Sequence, residues 1–394
     1  MKVKEFNLDR LNEKKIELGE QPIVLKRTTY PEVVIENGYL VDEKGNRIGT
    51  KGDATSDSFM DEILQRGCLD ENPRPVFIDT YEDAKYYKED LIIVTKTGEE
   101  VKIDSTALVI EKDDEIEVRS KAHTLSLNDL GEVVIDLSKD ESAMITKRPI
   151  AFLTSVAEIL WIYQMQSNDL VEFDELLGKN TWDIDHIIHN WWEQWALKDA
   201  KGKYILNEKG HPIIGHCYGG TTKKWNMLYH YVIDAIKANP DGRRNITCMW
   251  QLDDFEKPHG LKPCAFLTEW NVRHEWDGKD YLDMKLTQRS SDFATAGCIN
   301  QIQYIALQLM VARELGLTPG KFTWSPTNVQ IYDRHIEQCI EMLNRKPITC
   351  DATIKLKEDK QNFKDMTKDD IYIEDYPKEL IKKKNPQLKL QLGI

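Results

Sequence analysis

The stretch "GLKPCAFLTEW", residues 260–270, sets a cysteine directly after a proline and ahead of an apolar run. A thiol held as its thiolate at the mouth of a strand is a nucleophile; one enclosed by apolar neighbours is a small core side chain. Taken alone, Cys264 reads first as core. The chain offers other groups that could work with it: Arg243 and Arg244 in "NPDGRR", Arg289 and Ser290 in "QRSSD", Asn300, and Glu158 beside an apolar helix face. Arginines near a thiol stabilise the thiolate and bind anions in a fork. A partly buried carboxyl suits general acid–base work. Each group also has a plain reading: helix-end arginines offsetting a dipole, a strand-end turn, a satisfied helix amide, a surface acid. His186 and His189 in "DIDHIIHN" stand three apart, but no further His/Cys pair completes a zinc set, so they read as structural.

Composition narrows the class. The 394 residues suffice for one large or two ordinary domains with a real core. A formal net charge of -14 argues against a protein that coats nucleic acid. No apolar run reaches the roughly 18 residues of a membrane span, and the N-terminus lacks a signal-peptide core, so no membrane association is expected. Seven cysteines without CxxC spacing argue against zinc and against a disulfide framework, and a cytoplasmic location is the default.

The elements that must hold these groups follow from periodicity. Residues 1–58 are polar and turn-rich and read as an N-terminal extension; "FMDEILQRG" (59–67) reads as a helix ending at Gly67. From about 80 to 140 the pattern alternates, with hairpin turns at "KTGE" and "EKDDE", giving a β-rich insert. From Pro149 the period becomes helical, with Ile150, Leu153, Ala157, Leu160 and Trp161 on one face and Glu158 at its edge. "NITCMWQL", "CAFLTEWNVR" and "YLDMKLTQRS" read as strands, and "CINQIQYIALQLMVARELG" as a long apolar helix stopping at Gly316.

The order of the short motifs changes the odds for the chemistry. "ILW" after Glu158, then "WWEQWA", "CYG", "NPDGRR", "LKPC", "QRSSD", Asn300 and "QIYDRH" resemble the ordered signature of the thymidylate synthase family over residues 146–376, more weakly over 59–75. The resemblance implies an α/β (α+β) fold with a mixed sheet packed by helices, spanning residues 59–394, and an obligate homodimer. It implies that Cys264 adds to C6 of a pyrimidine nucleotide, making C5 nucleophilic toward a one-carbon unit from 5,10-methylenetetrahydrofolate, with no metal. Arg289 and Ser290 would hold the nucleotide phosphate in one chain, and Arg243 and Arg244 would reach it from the partner. The fourth phosphate arginine falls in "DENPRPVF", where Arg74 is the candidate. Gln288, Asn300 and Gln330 would line the base and sugar, and Tyr332 would bond the deoxyribose. Asn300, an amide, suits uracil and hence dUMP. Glu158 would be the general acid–base and Tyr218 part of its network. Trp192, Trp195 and Asp292 would meet the folate, and Asn168 matches the asparagine after the Glu158 helix.

The departures from that pattern bear on the second half of the reaction. Ala265 follows Cys264 where the family usually has histidine; Gln330 and Arg334 replace a histidine and an asparagine; "AGCIN" replaces "GLPFN"; Met227 and Leu228 stand about where an Asp-Gln pair is common; and the chain ends "LKLQLGI". A wetter site would let water, in place of a folate hydride, reach the exocyclic methylene. The expectation is therefore a dUMP hydroxymethylase of the kind found in phages with 5-hydroxymethyluracil in their DNA. The alternatives are a divergent thymidylate synthase and a non-catalytic descendant that binds nucleotide or RNA.

Overall fold

The computed structural model describes residues 2–70, 74–103, 108–112, 115–199, 202–257 and 261–390. At its centre lies a mixed sheet built from β1 (Cys68–Leu69), β2 (Thr124–Leu127), β3 (Val133–Asp136), β4 (Ile246–Cys248), β5 (Ala265–His274), β6 (Asp280–Asp292) and β7 (Thr318–Tyr332). The strand order is β4-β5-β6-β7-β2-β1, with β3 pairing the first half of β7 and β2 its end. β5 and β6 run antiparallel, with Ala265 opposite Gln288, whereas β6 and β7 run parallel. A parallel pair needs a crossover in place of a tight turn. The expected long helix supplies it.

Among the helices that bear on the site, α1 is Leu8–Glu17, α2 is Lys51–Arg66, α3 is Phe152–Tyr163 and α4, the crossover, is Phe293–Leu315. α4 ends at Gly316 in the left-handed region, φ 68°. It packs on α3, β6 and β7, so it is buried nearly all round and shows no polar stripe. α3 is likewise enclosed from Ser155 to Tyr163, with Glu158 inside it. Leu153, expected on its buried face, is exposed; the helix starts only at Phe152, and in its first turn Phe152 and Ser155 are the residues turned inward.

The helix expected at 59–67 begins eight residues earlier. Thr50 caps α2 and closes a reciprocal box with Asp53. Asp53 also accepts from the backbone N and Oγ1 of Thr146, each at 2.7 Å, and Asp57 pairs with Lys147. The polar run "KGDATSDS" is thus largely buried, with Asp53 and Asp57 bonded to the segment before α3, which surface-style patterning does not reveal. Residues before it join the same body. Phe6, Leu11 and Tyr30 belong to the main core, and Tyr30 donates to Asp61 at 2.9 Å. From α1, Lys15 reaches Glu20 at 3.0 Å and Asp333 at 2.8 Å, tying this segment to the turn after β7.

The stretch expected to be β-rich does form strands. Arg74–Glu82, Leu108–Lys112 and Glu115–Ala122 form one antiparallel sheet, and Lys85–Tyr87, Ile92–Val94 and Glu100–Lys102 another. Ile93, Ile103, Ile116 and Val118 make a small separate core. The "KTGE" turn joins two of these strands, with Gly98 at φ 79°. The centre of the second expected turn, 113–114, lies outside the described residues. Among the described residues, no helix is long and apolar enough to cross a membrane.

Candidate active site

Cys264 sits at the entrance to β5, partly exposed. Arg289 on the adjacent β6 clamps this entrance. Its backbone N donates to Cys264 O at 2.9 Å, its Nε to Pro263 O at 2.8 Å and its Nη2 to Lys262 O at 2.8 Å. The same Nη2 lies 3.5 Å from Cys264 Sγ. A permanent cation therefore stands against the sulfur, the arrangement that stabilises a thiolate.

Tyr218 supports the cysteine from the other side. Its hydroxyl accepts from Cys264 N at 3.0 Å. Burial pushes its pKa well up, so it stays a neutral phenol. Its backbone is strained, at φ 42°; such a conformation costs about 1–3 kcal/mol and persists only where its surroundings enforce it. The next residue shows how. A Cβ on Gly219 would lie 1.8 Å from Ser167 O, so "CYG" turns where only glycine fits. Asn168 holds the approach to this turn by donating to Gly215 O at 2.7 Å.

Glu158 is enclosed by neutral donors. Trp191 Nε1 donates to one oxygen at 2.8 Å and Gln303 Nε2 to the other at 2.9 Å. Burial raises its pKa to about 7, while these donors pull the other way. The carboxyl can thus take up or release a proton near neutrality, as a general acid–base requires. Gln303 also accepts from Asn300 Nδ2 at 3.0 Å, and Asn300 Oδ1 accepts from Gln288 Nε2 at 3.0 Å. Glu158, Asn300 and Gln288, singled out separately in the sequence, therefore share one connected wall.

Two members of that wall escaped the sequence reading. Trp191 was passed over for Trp192 and Trp195 because three tryptophans in five residues leave the inward one ambiguous. The segment Trp191–Trp195 is a 3-10 turn. Trp192 is only 1% exposed and packs on Trp161 and Tyr218, so in this conformation it backs the site and does not line it. Trp191 and Trp195 are the partly exposed indoles, set edge to face. Gln303 had a signal: Gln301, Gln303 and Gln308 are amides inside an apolar helix, and buried amides need partners.

The remaining candidates spread around this wall. Ser290 Oγ bonds to Gln330 across β6 and β7, at 3.2 and 3.3 Å from its two amide ends. Tyr332 ends β7 buried, with the Arg334 guanidinium 5.7 Å from its ring centre. Asp292 precedes α4, its Oδ1 3.9 Å from His335 Nδ1. Arg243 and Arg244 are exposed on the turn before β4 and join none of the contacts that gather at Cys264. The side chain of Arg74 lies outside the described residues, as does the end of the C-terminal tail, 391–394. Among the described residues no group of three or more His, Cys, Asp or Glu could hold a metal ion.

Comparison with known proteins is consistent with this arrangement. Residues 103–387 match the family model described as thymidylate synthase. A thymidylate synthase of Streptococcus sanguinis is 40% identical over 260 residues, covering 66% of this chain and 83% of that protein. One from Lactococcus lactis is 37% identical over 263 residues, covering 66% and 84%. The solved thermostable thymidylate synthase A of Bacillus subtilis superposes with a TM-score of 0.61 at 24% identity, over 87% of this chain and 99% of that one, a likeness of fold.

Proposed function

The chain belongs to the thymidylate synthase family, and we propose that it makes dTMP from dUMP. The observation that carries this choice is the enclosure of Glu158: both its oxygens are engaged by Trp191 and Gln303, in a wall of indole and buried amide. A site closed in this way favours hydride over water at the exocyclic carbon. The 37–40% identity to proteins named thymidylate synthase supports the same choice.

In this reading Cys264 Sγ bonds to C6 of the uracil and Arg289 steadies both the thiolate and the phosphate. C5 then takes the one-carbon unit. 5,10-Methylenetetrahydrofolate supplies that unit and the hydride, leaving as dihydrofolate. Glu158 moves protons at the O4 side, and Tyr218 fixes the backbone of Cys264. Asn300 reads the base and Tyr332 the sugar. Ser290 joins the phosphate site, with Gln288 and Gln330 behind it. The partly exposed Trp191 and Trp195 fit the flat ring of a folate, and Asp292 its polar edge. Arg243 and Arg244 serve the phosphate of the partner subunit, which makes the enzyme a homodimer. Arg74 is the fourth phosphate ligand.

The second reading is hydration to 5-hydroxymethyl-dUMP with tetrahydrofolate released. Ala265, Gln330 and Arg334 favour it, because each changes a polar group around the nucleotide. Product mass in heavy-oxygen water separates the two. A product one methyl heavier and free of label supports dTMP synthesis; a labelled hydroxymethyl product replaces it with hydration. The dimer has its own test. Arg243→Ala and Cys264→Ala chains, each inactive, should regain part of the activity when mixed; no rescue after confirmed exchange places the arginine in its own chain's site.

A further inference from the structure

We propose that Gln303 is a positioning residue that locks the Asn300 amide in one orientation and joins base recognition to Glu158. The proposal rests on the dUMP reading of the site and deepens it. An amide side chain is ambidextrous: rotated by half a turn, it exchanges its donor and acceptor ends. What removes the ambiguity here is a chain of bonds whose polarity is fixed at one end by a group that can only donate.

One end is Trp324, an indole that can only donate. It is fully buried and donates to Gln288 Oε1 at 2.8 Å. Gln288 must therefore turn its Nε2 the other way, where it donates to Ser290 O and to Asn300 Oδ1, each at 3.0 Å. Asn300 Nδ2 then points to Gln303 Oε1 at 3.0 Å. Gln303 in turn presents Nε2 to Glu158 Oε1 at 2.9 Å. The second oxygen of Glu158 is held by another indole, Trp191. Flipping any one of the three amides would set N–H against N–H and oxygen against oxygen at its junctions, inside a wall where Gln288 and Gln303 are buried.

Asn300 keeps one N–H and one lone pair beyond these bonds. Its free edge is thus a donor and an acceptor in a fixed order. That edge is complementary to an imide, such as uracil O4 with N3–H, and mismatched to the amino-pyrimidine edge of cytosine. Without Gln303 the Asn300 Nδ2 end loses its anchor, and Glu158 loses a donor that favours its ionised form.

The test uses the full-length protein and two substitutions, with dissociation constants for dUMP and dCMP and the pH profile of kcat/KM for dUMP. Gln303→Met removes both bonds at nearly constant volume. It should narrow the dUMP preference by roughly tenfold or more and move the Glu158 limb to higher pH. Gln303→Glu still accepts from Asn300 but sets a carboxyl against Glu158. It should keep the dUMP preference and still raise the limb. If Gln303→Met retains the preference within about twofold and the limb is unmoved, the proposal is overturned. If Gln303→Met fails to fold, Gln303→Glu decides, and an unmoved limb overturns the coupling. A wild-type protein that binds neither nucleotide overturns the dUMP reading and this proposal with it. A wild type that prefers dUMP, with a variant that prefers it equally, overturns the role of Gln303 alone.

Discussion

Two buried carboxyls, Glu158 in α3 and Asp57 in α2, are both raised by burial yet are surrounded in opposite ways. Glu158 faces neutral donors, Trp191 and Gln303. Asp57 faces the Lys147 ammonium, itself buried. Protonating Glu158 leaves its neighbours uncharged. Protonating Asp57 strands a cation in the core, which costs several kcal/mol. Burial alone therefore says little about role. Both are pushed up to about 7, so the partner decides what moving the proton costs: no charge is stranded at Glu158, whereas at Asp57 the bolt between α2 and the segment before α3 is lost.

Substitutions can break that contrast, and the largest effect belongs to Cys264, the nucleophile of the proposed reaction. Cys264→Ser should lower turnover by on the order of 10⁴-fold or more while the protein stays folded. Steady-state kinetics with near-normal turnover would return Cys264 to the status of a core thiol. Glu158→Gln should cut kcat by roughly 10²–10⁴ and leave C5 tritium exchange less affected. Equal loss in both would place Glu158 before the one-carbon transfer.

Lys147→Met sharpens the other side. It should destabilise the fold by about 3–5 kcal/mol in urea unfolding and leave kcat per folded molecule unchanged. Pairing it with Asp57→Leu should recover most of that loss, because two apolar side chains leave no charge unpaired. A loss from Lys147→Met alone that stays below about 1 kcal/mol would remove the bolt.

The smallest effect is one of pH. The folded pKa of Glu158, about 7, lies above its ordinary 4.5, so the folded state holds this proton more tightly. The resulting stability is complete below about pH 4.5 and is lost as pH rises through about 7. Wild type should accordingly lose about 3 kcal/mol relative to Glu158→Gln between these limits. Asp57 is common to both proteins and cancels. Parallel stability curves would mean that Glu158 titrates near its ordinary value.

The same contrast explains what was legible in the sequence. Cys264, Arg289, Asn300 and Glu158 stood out because their motifs are local and ordered, and α4 stood out because a buried crossover helix is an apolar run with a glycine stop. The start of α2 did not, because Asp53 and Asp57 are polar residues held by Thr146 and Lys147, about ninety positions away. No local pattern encodes such a partner. Trp191 and Gln303 show the same limit in part: three tryptophans in five residues do not say which one meets Glu158, and an amide inside an apolar helix signals a partner without naming it. The integration of residues 1–58 through Lys15 and Asp333 was equally hidden, since that contact spans nearly the whole sequence.

The enclosure of Glu158 makes one claim that a single assay reaches most directly: hydride, not water, completes the reaction. With dUMP and 5,10-methylenetetrahydrofolate, the near-ultraviolet absorbance rise of dihydrofolate should track dUMP consumption mole for mole, with dTMP as the product. Consumption of dUMP with tetrahydrofolate released unoxidised and a hydroxymethylated nucleotide formed would contradict it.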